Sequence, residues 1–342
     1  MKVLFYARPD YYTNPAGDTV QMISTGQILK NLGVEIGISS DPNILLASYD
    51  LVHIFNITRI KESYMQFLNA QKQKKRIVIS PIYWNPRLFL QSQNSGPNSL
   101  AVWKHTQPMR ARLLRECELV LPNAKSEMDA IKVDFPQTAP YRVIPNGFPD
   151  TFPQADPALF RQRFPSLPVE FILCVARISP RKNQMWLARV CQELDLPLVL
   201  VGPINNRNYF EKVRSARGVI YLGALQGELL ASAYKAAKVH ALPSWFETPG
   251  LSSLEAAACG TTVLSTDQGS VREYFEEMAI YIDPRNQESL RPALEQSLRA
   301  NPVPLQDHIR SCYSWSQVAS LTLGAYQSVL SPEPILSSRS SS

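Results

Sequence analysis

The sequence is poor in the side chains that hold metals or build disulfides. It has four histidines and five cysteines, Cys117, Cys174, Cys191, Cys259 and Cys312. The cysteines are scattered and odd in number, and no CxxC or Cys/His spacing occurs. That argues against a zinc module and a disulfide framework, and for reduced core thiols in a cytoplasmic protein with no metal. No apolar run approaches the ~18 residues of a membrane span. The opening MKVLFYARPD lacks the long apolar stretch and small-residue cleavage site of a signal peptide, and reads as a buried strand. No GxGxxG follows any strand-like run, which disfavours a Rossmann dehydrogenase. No basic array interleaved with aromatics points to nucleic acid. With 45% hydrophobic and 19% charged residues, the chain is neither disordered nor fibrous, but soluble and globular.

What is present is a regular alternation. Strand-like runs MKVLFYA, VEIGIS, LVHIF, RIVISPI, ELVLPN and YRVIPN occupy the first half. FILCVA, LPLVLVG, VIYLG, KVHALPS, TTVLST and AIYID occupy the second. Amphipathic stretches such as TVQMISTGQILKNLG, MQFLNAQKQKK, QMWLARVCQEL and ELLASAYKAA separate them. Short apolar strands alternating with helices imply parallel sheets built from βαβ units. A length of 342 residues suits about two such domains. The prolines at 153, 157, 165 and 168 mark a linker. The expected architecture is two doubly wound α/β domains facing across a cleft, with ligands at the carboxyl ends of the strands. Residues 1–165 form the first domain and 166–312 the second. A helix over 313–332 follows, and 333–342 is a Ser-rich disordered tail.

The net charge of +6 lies entirely in residues 1–165, which hold 19 Lys and Arg against 13 Asp and Glu; the remainder has 16 of each. A basic domain favours an anionic partner such as phospholipid headgroups or a pyrophosphate-linked acceptor. The segment VWKHTQPMRARLLREC places Lys104, Arg110, Arg112 and Arg115 among apolar residues at helical spacing. NAQKQKKR adds Lys72, Lys74, Lys75 and Arg76. Such a face can rest on anionic lipid, or be the solvated side of a helix that packs inward.

Two stretches carry recognisable chemistry. In LPSWFETPGLSSLEAAACG, Pro249 and Gly250 can turn the chain, and Ser252 or Ser253 can cap a helix running to Gly260. Free N–H groups at 250–252 and the positive end of the helix dipole would hold a phosphate. Glu255 lies about one turn further along and can accept hydrogen bonds from two neighbouring hydroxyls, as on a ribose. Glu247, ahead of the helix, faces the other side. A capped surface helix with two solvated acids fits the same spacing. In CVARISPRKNQ, Arg177 and Lys182 follow a strand across a Pro-containing turn and can neutralise a diphosphate as it leaves. Arg181 beside them reads as exposed.

Together, LCVARISPRKN, LVGP, VIYLG, LPSWFETPGLSSLEAAACGTTVLSTDQGSVREYF and YSWSQVASLTLGAYQSVL resemble glycosyltransferase family 4, the retaining sugar-nucleotide transferases of GT-B fold. PAGDTVQ, LKNLGVEI, DLVHIFN and VIPNGF extend the resemblance more loosely into the first half. The resemblance implies a hexosyltransferase-type enzyme acting on a nucleotide-sugar and a glycan or lipid-linked acceptor. It implies a setting in cell-envelope polysaccharide or glycolipid synthesis, at the inner face of the membrane, with no cofactor. Glu247 and Glu255 fit the family's E-x7-E signature, for donor sugar and ribose respectively. The amides of Gly250, Leu251 and Ser252 would hold phosphate and sugar. Arg177 and Lys182 would take the charge of the departing diphosphate. Gly17 would let the N-terminal loop approach the diphosphate, and the last helix, from about Trp315, would brace the first domain.

Two departures stand out. Where the family has paired glycines, this chain has Ala16 before Gly17. Where many members carry a histidine after the fourth strand, it reads ISPIYWNP, leaving Tyr83 or Asn85 for the polar contact. His53 and His105 read as structural. A non-catalytic nucleotide-sugar-binding protein and a nucleotide-sugar epimerase on the same fold are the alternatives.

Overall fold

The computed structural model describes residues 1–93 and 97–331; the tail expected at 333–342 lies outside them. Five parallel strands form the first sheet: β1 Lys2–Tyr6, β2 Glu35–Ser39, β3 Leu51–Phe55, β4 Arg76–Ser80 and β5 Leu119–Val120, in the order β2-β1-β3-β4-β5. Six parallel strands form the second: β6 Ile172–Val175, β7 Leu198–Val201, β8 Val219–Tyr221, β9 Val239–Leu242, β10 Thr262–Thr266 and β11 Ile280–Ile282, in the order β11-β10-β9-β6-β7-β8. The central strands are buried along their whole length, as strands covered by helices on both faces must be. The architecture is the expected pair of doubly wound α/β domains.

One sequence expectation changes. YRVIPN is not a sixth full strand but follows β5 at its edge. Tyr141 makes an isolated bridge to Val120, and the Arg142 and Ile144 N–H groups donate to the carbonyls of Val120 and Pro122. With Pro140 before it and Pro145 within it, the segment has too few N–H groups to make a regular ladder.

The proline-rich stretch between the sheets is docked. Its helix Pro157–Arg163, capped by Asp156, packs on helix Gly227–Ala236, and Phe152, Phe160 and Phe171 enter the core of the second domain. The chain passes between domains twice, side by side. Phe148 N–H donates to the carbonyl of Tyr313, and Trp315 N–H to that of Phe148. Gly147 makes this possible, because a Cβ there would lie 2.7 Å from the Trp315 nitrogen. Helix Trp315–Leu330 starts with a capping box between Ser314 and Gln317. It packs on helix Gly17–Asn31. Trp315, Val318, Ala319, Ala325, Tyr326 and Val329 complete the core of the first domain.

His53 belongs to that brace. It is 1% exposed, and its ring nitrogens are 2.6 Å from the Tyr326 hydroxyl and 2.9 Å from that of Ser80. Burial holds its pKa down at about 3, so it is a neutral structural link between β3, β4 and the last helix. His105 is exposed at the end of helix Pro97–His105.

Candidate active site

In both sheets the strand order reverses beside a central strand, between β1 and β3 and between β6 and β9. Crevices open at the carboxyl ends of strands at such switch points. The candidate residues come from these places.

After β9 the chain turns through a cis Thr248–Pro249 bond and enters helix Leu251–Ala258. Its N-cap is Gly250, not the expected serines, and no side chain caps it. Gly250 has φ +88°, and a Cβ there would lie 3.4 Å from the Glu247 carboxylate; glycine alone fits without strain. The N–H groups of Leu251 and Ser252, in the first turn, have no intrahelical acceptor. Opposite them, a Cβ on Gly17 would lie 3.8 Å from Leu251 Cδ1. Gly17 opens helix Gly17–Asn31, so two helix N-termini meet across the cleft and their dipoles favour the same anion. Ala16 has φ −142°, extended backbone that any residue adopts, so the alanine causes no strain there.

Glu247 is no solvated acid: it is 5% exposed. Its carboxylate accepts a hydrogen bond from the Lys182 ammonium. Burial pushes the carboxyl pKa up, but Lys182 and Arg181 outweigh it and the net direction is down. Burial pulls Lys182 down to about 8, against the attraction of Glu247. The backbone of Glu247 is clasped by the loop after β10, whose Ser270 N–H donates to its carbonyl at 3.0 Å, while the Glu247 N–H donates to Gln268 at 3.2 Å. Gly269, with φ +102°, makes the clasp possible, because a Cβ there would lie 2.0 Å from the Glu247 oxygen.

Arg177, at the end of β6, is half-buried. Burial lowers its pKa, Arg181 lowers it further, and Asp18 of the first domain opposes both. Arg181 is not the exposed residue expected. Its guanidinium donates to the Phe246 carbonyl at 2.9 Å and lies 5.6 Å from the Trp84 ring centroid. Glu255 accepts a 2.8 Å hydrogen bond from the Tyr234 hydroxyl, and burial raises its pKa to about 7.

Arg177, Lys182 and Glu247 thus lie within electrostatic reach of one another, and Gly17, Gly250 and Leu251 lie close by; Glu255, further along the same helix, is turned to Tyr234. Tyr83 and Asn85 are both tied to Asp134. Tyr83 is fully buried, packed on Trp103 and Phe135, and its hydroxyl donates to Asp134. Asn85 donates to the same carboxylate at 2.8 Å. It is Trp84, between them, that reaches the second domain, stacking on Phe246 with centroids 5.7 Å apart.

Sequence reasoning missed a polar cluster on the first-domain side. Buried Arg8, after β1, donates to Asp10 at 2.7 Å and to Asp18 at 3.1 Å. Asn56 donates to Asp18 at 2.8 Å, and Arg59 to Asp10 at 2.7 Å. Burial pushes Asp10 up, but Arg8, Asn14 and Arg59 together hold it down at about 2. The signal available was position alone: Arg8 and Asn56 each follow the end of a strand. Also missed was a clamp between the domains. The exposed carboxylate of Glu273 accepts the N–H groups of Lys125 and Ser126 at 2.7 and 2.8 Å, capping helix Lys125–Asp134 from across the interface. Tyr274 beside it donates to the Asn123 carbonyl at 2.6 Å and accepts from Asn146 N–H at 2.8 Å.

The basic face is partly spent. Arg110 is 2% exposed and donates to the carbonyls of Ile57 and Thr58 and to the Thr106 hydroxyl. Arg112 and Arg115 pair with Glu116. Lys72, Lys74 and Lys104 stay exposed. Among the described residues, no group of three His, Cys, Asp or Glu is placed to hold a metal ion, and no helix is long and apolar enough to cross a membrane.

Residues 170–300 match the family model described as glycosyl transferases group 1. Over 174 residues the chain is 29% identical to an uncharacterized glycosyltransferase of Methanocaldococcus jannaschii, covering 46% of this chain and 45% of that protein. It is 27% identical over 176 residues to an O-antigen chain mannosyltransferase B of Escherichia coli, with coverages of 46% and 45%. The chain thus spans about half the length of these curated relatives. Among solved structures, sucrose-phosphate synthase from Thermosynechococcus elongatus superposes with a TM-score of 0.80 at 17% identity, covering 96% of this chain and 99% of that one. Anabaena HepE in complex with UDP-glucose superposes with 0.76 at 16% identity, with coverages of 96% and 100%. The fold is that of the GT-B glycosyltransferases.

Proposed function

We propose that the chain is a retaining glycosyltransferase of family 4, moving a hexose from a nucleotide-sugar to a glycan or lipid-linked acceptor. Cell-envelope polysaccharide or glycolipid synthesis is its setting. The observation that carries the reading is the meeting of two helix N-termini, at Gly17 and Leu251, beside Arg177 and the Lys182–Glu247 pair. A diphosphate suits that meeting point, since its charge is matched by N–H groups, dipoles and two cations. Glu255 takes the ribose hydroxyls and Glu247 the donor sugar. UDP-glucose in the HepE complex and the mannosyltransferase name among the relatives support the donor class.

In the reaction, the bond between the anomeric carbon and the diphosphate oxygen breaks, and its electron pair leaves with the diphosphate. Arg177, Lys182 and the amides of Leu251 and Ser252 stabilise that charge as it develops. The acceptor hydroxyl bonds to the same carbon, and its proton passes to the departing phosphate oxygen. Closing the cleft excludes the water that would otherwise compete. No metal or cofactor enters this reading. The exposed Lys72, Lys74 and Lys104 are the cations offered to an anionic membrane surface at its cytoplasmic side.

The test is binding and turnover with a panel of nucleotide sugars. Release of nucleoside diphosphate that disappears in Lys182→Ala and Glu247→Ala is the expected result. Tight binding without turnover on any acceptor would turn the reading into that of a binding protein. Interconversion of the sugar without transfer would turn it into an epimerase. For the surface, liposome sedimentation should prefer anionic over neutral vesicles.

A further inference from the structure

Beside the cleft, the first domain holds a pocket of about 450 Å³, in the size range of small-molecule sites. The turn after β3 and the start of helix Ile60–Lys72 form one side; helices Arg87–Ser92 and Pro97–His105 form the other. Ile60, Trp84, Pro86, Phe89, Leu90 and Val102 give it apolar walls. Its arginines are already engaged. Arg110 lies 3.8 Å over the Trp103 ring and donates to backbone and Thr106, and Arg59 is held by Asp10 and Glu62. The apolar walls offer hydrophobic contact, and Lys61 and Ser99, which also line the pocket, give it a polar side.

Two observations tie the pocket to the cleft and to a particular kind of ligand. First, its wall is shared with the loop that carries Glu247. Trp84 stacks on Phe246, and Phe89 lies 6.0 Å from Trp245. The turn that presents Trp84 is constrained: Ile82 has φ +48°, a costly conformation for a β-branched residue. Glu127 holds the turn by accepting the Tyr83 N–H at 2.6 Å. Second, apolar side chains on the elements that build the pocket are open to solvent. Helix Arg87–Ser92 buries no residue, Leu88 is 59% exposed on it, and Val102 at the rim is 56% exposed. A compact aryl group would fill the walls and leave such side chains bare, whereas an extended chain can cover them as well.

We infer that this pocket takes the hydrocarbon chain of an amphiphilic acceptor, placing the polar end of that molecule in the cleft near Glu247. The word acceptor rests on the transferase reading; the alkyl ligand rests on the pocket. The full chain is titrated with methyl, butyl, hexyl and octyl glucosides below their micelle-forming concentrations, followed by tryptophan fluorescence. Affinity is expected to rise about three- to fourfold per added methylene from butyl to octyl. Val102→Asp, at an exposed rim position, is expected to flatten the series to less than about twofold; Leu90→Asp serves as the second variant. Equal affinity for methyl and octyl glucoside in the unaltered chain overturns the inference, as does phenyl glucoside binding as tightly as octyl. UDP-glucose is titrated in parallel. Its binding with a flat alkyl series defeats the pocket alone. A steep alkyl series with no binding of any member of the nucleotide-sugar panel used to test the proposed function defeats the transferase reading and leaves the pocket standing.

Discussion

Replacing Lys182 by Met separates what the ion pair does for the fold from what it does for a ligand. The Lys182 and Glu247 side chains are 12% and 6% exposed, so the methionine keeps most of the volume and removes the charge. Glu247 is then an unpaired buried carboxylate, and leaving a buried ion without its partner costs about 3–5 kcal/mol. The cost depends on pH in a definite direction. Without Lys182, burial, the largest influence on Glu247, is opposed chiefly by the weaker pull of Arg181, so its pKa moves up, above the unfolded value. Below the unfolded value the group is protonated in both states and nothing is lost. Between the two values the penalty grows by about 1.4 kcal/mol per pH unit, up to the raised folded value. Urea unfolding of the second domain, followed by far-ultraviolet circular dichroism at pH 5 and pH 8, measures this. Lys182→Met should be much less stable than the unaltered chain at pH 8 and close to it at pH 5. The double variant Lys182→Met, Glu247→Gln should recover most of the loss at pH 8, giving a coupling of several kcal/mol in the cycle. It should still release no diphosphate from a nucleotide sugar. If Lys182→Met is as stable as the unaltered chain at pH 8, the buried pair is not what holds this loop.

Three further predictions follow from the same geometry. Nucleotide-sugar affinity should rise with pH up to about 7, as Glu255 ionises and becomes an acceptor for ribose hydroxyls. It should fall above about 8, as Lys182 loses its charge; calorimetry of the Glu255→Gln variant should lack the rising limb only. Gly250→Ala places a methyl 3.4 Å from the Glu247 carboxylate at φ +88°, so it should destabilise by about 1–2 kcal/mol and weaken nucleotide binding, read by thermal melting and calorimetry. Glu273→Ala removes a helix cap supplied by the other domain and should cost about 1 kcal/mol. Hydrogen exchange should show it as faster exchange at Lys125 and Ser126, with residues 251–258 unchanged.

Local physics wrote much of the fold legibly. Runs such as LVLV, apolar throughout, and LVHIF, apolar but for His53, became central strands, because a strand covered on both faces is apolar at nearly every position. SSLEAAACG became most of helix Leu251–Ala258, with Gly260 at φ +85° just beyond its end. Misreadings arose where a neighbour distant in sequence decided the matter. Ser252 and Ser253 had the chemistry of a cap, but the close approach of Glu247 left only Gly250 able to make the turn. Tyr83 had the hydroxyl for a ligand contact, but Asp134 took it into the core. Arg110 sat on a basic helix, yet the carbonyls of Ile57 and Thr58 drew it inward.

By itself, then, the sequence determined the alternation of strands and helices, the two-sheet architecture, and the acids and cations available at the strand ends. These depend on periodicity and residue type within a few turns of chain. Only the tertiary structure decided that Lys182 meets Glu247, 65 residues away, and that Glu273 caps a helix 148 residues before it. Such contacts depend on strand order and on how the two domains close, and burial then sets the charge state of each group.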